Sequence, residues 1–156
     1  MRLKSAFTMI ELVFVIVVLG ILAGVAIPKL VVTRDDATVS KLRADIAAIR
    51  SGIALQRQQN LMSGNPNWPV LTGGFSEVLQ SPIKFKGDAR NGWKKTSGTA
   101  DQPTFEVCVA GKCTNFTYYQ KGVVKKGENG KPDTVTTPAG TFSCPPAESV
   151  CKMLSE

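Results

Sequence analysis

From Leu12 to Pro28 the chain carries no charged residue, and a single carboxylate, Glu11, stands directly before that run. As a helix, residues 7–28 would rise about 33 Å, enough for a hydrocarbon core of roughly 30 Å. An ionised side chain at bilayer depth costs roughly 2.5 kcal/mol or more, so it persists where it has a partner or a task. Glu11 is therefore the residue that any reading of this segment has to explain.

An ordinary secretory signal has a basic start, an apolar centre and a small-residue cleavage site. Arg2, Lys4 and Gly24-Val25-Ala26 could supply those parts. A plain signal anchor needs only the apolar length. Neither accounts for Glu11. Ala6-Phe7-Thr8-Met9-Ile10-Glu11 followed by the apolar run does, because it resembles the processing site of type IV prepilins and type II secretion pseudopilins, which a dedicated peptidase cuts on the cytoplasmic side. The resemblance covers roughly the first fifth of the chain. Its parts are a basic leader, a small residue, Phe7, Thr8, an acid at the fifth place after the cut, a long apolar helix and Pro28. That family usually has Gly before the cut, where this chain has Ala6.

What the resemblance implies is specific. Cleavage would fall between Ala6 and Phe7, and the freed amine of Phe7 would be methylated. Glu11 of one subunit would then pair with the Phe7 amine of its neighbour, since each charge would otherwise be stranded in lipid. One buried pair would thus help to set axial register. If Glu11 instead snorkels to the interface, it has no further role. Gly20-x-x-x-Gly24 would let two helix backbones approach closely. Gly20, Gly24 and Pro28 also weaken the helix locally, in the stretch that bends or unwinds in this family.

The implied fold is α+β and type IV pilin-like: a long N-terminal helix packed on a small antiparallel sheet with disulfides. Its expected divisions are a leader (1–6), a transmembrane and assembly helix (7–28), an amphipathic half of the same helix (29–64) and a periplasmic or extracellular head (65–156). Val39, Leu42, Ile46, Ile49 and Ile53 recur at three- and four-residue intervals and predict one buried stripe, with charged residues on the other faces. Met62-Ser63-Gly64-Asn65-Pro66 predicts the stop, Gly64 being suited to a left-handed cap. Residues 7–62 as one helix would span about 84 Å.

Beyond Asn65 the pattern changes. Phe75–Leu79 predicts a short helix. Residues 105–109 and 113–119, rich in β-branched and aromatic side chains, predict two antiparallel strands. Thr141–Ser143 is a candidate third. Residues 88–101 read as loop around a short strand near Trp93, and residues 128–133 as a turn.

Arg2 and Lys4 would hold the N-terminus in the cytoplasm, although Lys29 and Arg34 dilute that bias. The precursor is thus expected as a single-pass inner-membrane protein, and the assembled form as a periplasmic or cell-surface filament. The four cysteines agree with an oxidising compartment. A tight turn at Ala110-Gly111 would set Cys108 opposite Cys113 across a hairpin. Cys144 and Cys151 are the other expected pair, closing a loop like the disulfide-bounded terminal loop of many type IV pilins. Four cysteines allow three connectivities, and the sequence does not select among them. Zinc is the rival reading, but there is no Cys-x-x-Cys knuckle and no histidine.

The formal net charge is +7, and losing Arg2 and Lys4 with the leader leaves about +5. Such a surface can attract DNA, for which Lys94, Lys95, Lys112, Lys121, Lys125 and Lys126 with Trp93, Tyr118 and Tyr119 are the candidates; a solvated lysine surface explains the same residues. No catalytic residue, cofactor or metal site is expected. Without histidine a hydrolytic triad lacks its usual base, and no phosphate-cradling Gly-rich loop is present. Glu128, Asp133 and Glu148 are too sparse in the sequence to establish the calcium cage often found in major pseudopilins, and calcium binding stays open at this point. The expected partners are identical or related pilin subunits, the prepilin peptidase and methyltransferase, an inner-membrane assembly platform and the inner membrane. The rival of another class is a secreted or membrane-anchored binding protein.

Overall fold

The computed structural model describes residues 8–86, 90–125 and 134–155. Its first element is helix α1 (Met9–Met62). The chain divides into two compact units, Met1–Ala37 and Thr38–Glu156, and each has its own chemistry.

In the first unit, Thr8 starts the helix by offering its carbonyl to the N–H groups of Glu11 (3.1 Å) and Leu12 (3.2 Å). From Met9 to Val25 the large apolar side chains are exposed. Helical backbone continues through Gly20, Gly24 and Pro28 without interruption. Among the described residues no helix is both long and apolar enough to cross a membrane. Met9–Val25 accounts for about 25 Å at 1.5 Å per residue, and the uncharged sequence runs on through Ala26, Ile27 and Pro28.

The second unit opens with the amphipathic part of α1. Leu42, Ile46, Ile49 and Ile53 are buried, and Val39 packs against them. Helix α1 stops where the sequence predicts, in a Schellman motif. Gly64 takes φ +79°, its N–H donates to Leu61 O (3.1 Å), and Asn65 N–H reaches back to Asn60 O (2.8 Å).

Strands β1 (Gly92–Gly98), β2 (Pro103–Val109) and β3 (Lys112–Tyr119) form an antiparallel sheet. A two-stranded ribbon follows, β4 (Val123–Lys125) with β5 (Thr134–Thr137). Strand β6 (Thr141–Ser143) then joins the outer side of β3, giving the order β1-β2-β3-β6. Helix α2 (Ser149–Ser155) ends the chain and buries Val150, Cys151 and Leu154.

Alternation along the strands selects the core face. Pro103, Phe105, Val107 and Val109 on β2 and Thr114, Phe116 and Tyr118 on β3 are buried. Aromatic rings fill the space between sheet and loop: Phe75 lies 4.4 Å from Phe105 and 5.3 Å from Trp93, and Phe116 lies 5.2 Å from Phe142. Tyr118 is fully buried with its hydroxyl donating to Pro69 O at 2.8 Å.

Several expectations are corrected. Phe75–Leu79 is a turn, not a helix. Phe75 adopts φ +58°, a conformation unfavourable for a bulky side chain, so the turn cannot propagate as right-handed helix. That strain is offset by complete burial of the ring among four aromatic neighbours, Phe85, Trp93, Phe105 and Phe142. β1 is a full strand with an irregularity between Trp93 and Thr96, where the sequence suggested a short strand in a loop. The ribbon β4–β5 and helix α2 were not foreseen. The turn expected at 128–133 lies outside the described residues.

Gly52 was also overlooked. A Cβ there would overlap the carbonyl oxygen of Val78 and lie 3.0 Å from its carbonyl carbon. The missing side chain is what lets α1 sit against the 75–79 turn.

Candidate functional site

The residues to which the sequence assigns assembly lie at the start of α1. Glu11 Oε2 accepts a hydrogen bond from Thr8 Oγ1 (3.2 Å) and a longer one from Thr8 N–H (3.4 Å). Thr8-x-x-Glu11 thus has capping-box spacing, with Thr8 as N-cap and Glu11 the third helical residue; the half in which Glu11 accepts from the Thr8 N–H is formed, while the Thr8 hydroxyl donates to the same carboxylate. The spacing is legible in the sequence. A carboxylate in the first turn is also favoured by the helix dipole. Both of the Glu11 contacts to Thr8 are made by Oε2.

Around that acid the helix offers a wholly apolar surface. Met9, Ile10 and Phe14 are 83%, 75% and 68% exposed, as large apolar groups rarely are unless something covers them. A Cβ added at Gly20 or Gly24 would meet nothing within 4 Å. The Gly20-x-x-x-Gly24 face is therefore open to another backbone. Ala6 and Phe7, the expected cleavage and methylation positions, lie outside the described residues. Pro28 lies within α1.

In the head the cysteines form two disulfides, Cys108–Cys113 and Cys144–Cys151. The first spans the β2–β3 hairpin, whose two-residue turn has Ala110 at φ +52° and Gly111 at φ +82°, the type I′ pattern that suits strand twist. Both turn N–H groups are satisfied, Ala110 by Asn91 Oδ1 (2.6 Å) and Gly111 by Arg90 O (2.9 Å). Cys144–Cys151 ties the end of β6 to α2 around an exposed loop, 145–148. Among the described residues, Glu106, Cys108 and Cys113 gather closely enough to suggest a metal site. Both sulfurs are consumed by the disulfide, and the single carboxylate left does not fit one. Glu148 joins no such group, and Glu128 and Asp133 are outside the described residues.

The aromatic half of the DNA-contact reading is corrected. Trp93 and Tyr118 are buried, so neither can stack on a base. Lys94 pairs with Glu106 (3.9 Å) and Lys121 with Asp101 (2.9 Å); Lys126 is outside the described residues.

Two ionisable groups depart from their ordinary behaviour. Burial pushes the Tyr118 hydroxyl up to about 12, partly opposed by the nearby Arg57 cation. Partial burial acts to raise the Glu77 carboxyl, yet bonds from the Thr72 hydroxyl and N–H, its own N–H and Ser76 hold it below the usual range. Glu77 thereby fastens the turn that carries Phe75.

Residues 1–27 match the prokaryotic N-terminal methylation motif. Among curated proteins, the chain is 31% identical over 81 residues to type II secretion system core protein G of Pseudomonas aeruginosa, covering 52% of this chain and 54% of that protein. The corresponding protein of Aeromonas hydrophila is 30% identical over 81 residues, 52% and 53% of the two chains. The type IV narrow pilus major component PilA5 of Thermus thermophilus is 44% identical over 59 residues, 38% of this chain and 50% of that one. The chain spans about half the length of the curated relatives it matches. No solved structure matches at a significant level. With its long N-terminal helix, antiparallel sheet and two disulfides, the chain has a pilin-like α+β fold, carries the N-terminal methylation motif over residues 1–27, and is similar to core protein G over 52% of its length and to a type IV pilin over 38%.

Proposed function

We propose that this protein is a structural subunit of a type IV pilus-like or type II secretion pseudopilus filament. In this reading residues 1–6 are the leader, 7–28 the membrane and assembly segment, 29–64 the amphipathic half of the helix and 65–156 the head. The precursor sits in the inner membrane with its N-terminus in the cytoplasm. Cleavage between Ala6 and Phe7 and methylation of Phe7 precede assembly. Related subunits and an inner-membrane platform are its partners, and the product is a periplasmic or surface filament.

The observation that carries the reading is a methylation motif leading straight into a helix whose apolar residues, Met9 to Val25, are uncovered. Burying such surface is worth roughly 25 cal/mol per Å², so lipid before assembly and neighbouring helices after it are its natural surroundings. Most of the relatives are named for type II secretion, which supports the pseudopilus; the loop closed by Cys144–Cys151 resembles that of surface pilins and supports the pilus.

Two measurements test this. Intact mass of the membrane-extracted protein should show loss of Met1 to Ala6 and gain of one methyl; a mature chain beginning at Ile27 would instead identify an ordinary secretory signal. Deleting the gene should abolish surface filaments if the protein is a pilin and exoprotein release if it is a pseudopilin. Loss of neither would leave a membrane-anchored binding protein as the better account.

A further inference from the structure

Several cations of the unit Thr38–Glu156 are engaged within it. Arg43 Nε donates to Met153 O (2.7 Å) and Arg50 Nε to Phe142 O (3.2 Å), Arg57 binds Pro66 O, and Lys94 and Lys121 face carboxylates. Lys41, Lys84 and Lys86 differ. They line one pocket of about 150 Å³ beside Trp93, and their ammonium groups make no hydrogen bond or ion pair among the described residues.

The fold brings them together by ordinary rules. Residues 83–86 belong to no helix or strand, and their exposure alternates, as it does along extended chain. Ile83 and Phe85 pack against the core, which leaves Lys84 and Lys86 exposed. The segment is pinned at both ends, by Ile83 N–H to Gly74 O (2.8 Å) and Lys86 N–H to Trp93 O (3.0 Å). Lys41 precedes buried Leu42 on α1 and completes the cationic rim. Asp45, one turn further along α1, is the opposing charge, but its Oδ2 accepts the Trp93 Nε1–H at 3.1 Å. Among the described lining residues, three lysines face one engaged carboxylate, a surplus of two positive charges.

We infer that this pocket binds a phosphate group. Its volume is that of about five waters at roughly 30 Å³ each, enough for one phosphate with residual solvent. Three rotatable ammonium groups can each donate to it, as lysines do at phosphate sites. The phosphate is either free in solution or carried by an anionic lipid headgroup, and one experiment separates the two.

Trp93 is the reporter. The chain has two tryptophans, and Trp68 lines a different groove, so two indole N–H resonances provide a probe and an internal control. Nitrogen-15-labelled full-length protein in zwitterionic micelles is titrated with inorganic phosphate, and separately with chloride at matched ionic strength. The Trp93 indole resonance should shift saturably with phosphate and stay fixed with chloride, while that of Trp68 does not move. Lys84→Ala with Lys86→Ala should weaken the apparent affinity at least about tenfold, and the paired Arg substitutions should largely restore it. In bicelles without free phosphate, a Trp93 shift with phosphatidylglycerol but not with phosphatidylcholine assigns the headgroup as the source; a response to free phosphate alone assigns the soluble anion. A Trp93 resonance unmoved by phosphate in both settings, moved equally by chloride, or moved equally in the Lys84/Lys86 double variant would overturn the inference.

Discussion

Glu11 has two candidate partners, Thr8 of its own chain and the Phe7 amine of a neighbour, and substitutions at positions 8 and 11 separate them. If the carboxylate serves only to cap α1, deleting either half of the capping box should cost about the same, roughly 0.5 to 2 kcal/mol. Glu11→Gln should then be nearly silent, because glutamine is equally suited to the third position of a capping box. If instead Glu11 neutralises an ammonium in an assembled filament, removing it strands that charge among apolar side chains, and breaking a buried pair costs about 3 to 5 kcal/mol. Glu11→Gln would lose most of that.

The contact geometry favours the second account. Both capping bonds go to exposed groups, and the one to Thr8 N–H is long at 3.4 Å. Glu11→Ala and Glu11→Gln should therefore reduce sheared-filament yield by at least about tenfold, roughly 1.4 kcal/mol being a factor of ten, while Thr8→Ala reduces it by much less. Leader removal, read by intact mass, must be normal for each variant, since Thr8 and Glu11 both lie close to the cleavage position. Normal yield from processed Glu11→Gln protein, or Thr8→Ala as defective as Glu11→Ala, would show that capping is the carboxylate's task.

Four further predictions concern the head and are read on full-length protein in micelles by urea denaturation. Gly52→Ala should destabilise by about 1 to 3 kcal/mol, because the new methyl overlaps the Val78 carbonyl and helix propensity returns at most about 1; an unchanged or higher midpoint would disprove the close approach. Thr114→Val should stabilise by about 1 kcal/mol, since the buried hydroxyl has no hydrogen-bond partner among the described residues, and a loss of stability would mean that it has one. Tyr118 has a folded pKa of about 12 against about 10 unfolded, so its contribution is intact below pH 10 and is lost as pH rises from 10 towards 12. Tyr118→Phe should flatten that alkaline decline relative to the unsubstituted protein, and parallel curves would refute the assignment. Cys144→Ser with Cys151→Ser should expose α2 to proteolysis more than Cys108→Ser with Cys113→Ser exposes the hairpin, whose register is already set by β2–β3 pairing from Thr104↔Thr117 to Val109↔Lys112; equal exposure would sink that ranking.

What the sequence made legible was mostly local or periodic. Leu42, Ile46, Ile49 and Ile53 repeat at helical spacing and do form the core stripe. Gly64 followed by Pro66 marks a stop that the Schellman bonds complete. The hairpin at Ala110-Gly111 follows from two β-rich segments around a short turn. Phe75 was misread because a bulky residue at positive φ is locally unfavourable, and only the ring cluster around it makes the conformation worthwhile. Trp93 and Tyr118 looked like surface aromatics among lysines; strand alternation, once the register is known, turns both inward. α2 and the β4–β5 ribbon are too short for their periodicity to stand out. Thr8-x-x-Glu11 was readable, but a motif already assigned one purpose hid the other.

One helix therefore carries two apolar surfaces with different obligations. The stripe from Leu42 to Ile53 is satisfied within the head, where it meets Phe105, Phe116, Phe142 and Leu154 in a single core cluster. The apolar side chains from Met9 to Val25 are exposed among the described residues. The head's stability is accordingly internal, helped by two disulfides that each close a short loop and by arginines bound to backbone carbonyls of β6 and α2. Substitutions between Met9 and Val25 should thus alter membrane residence or assembly and leave the head folded. Substitutions in the Leu42–Ile53 stripe should act through folding, whatever the subunit later joins. That separation is what makes the Glu11 series interpretable, since a filament defect from position 11 cannot be ascribed to an unravelled head, and the head's urea midpoint in each variant is the control that holds the inference to account.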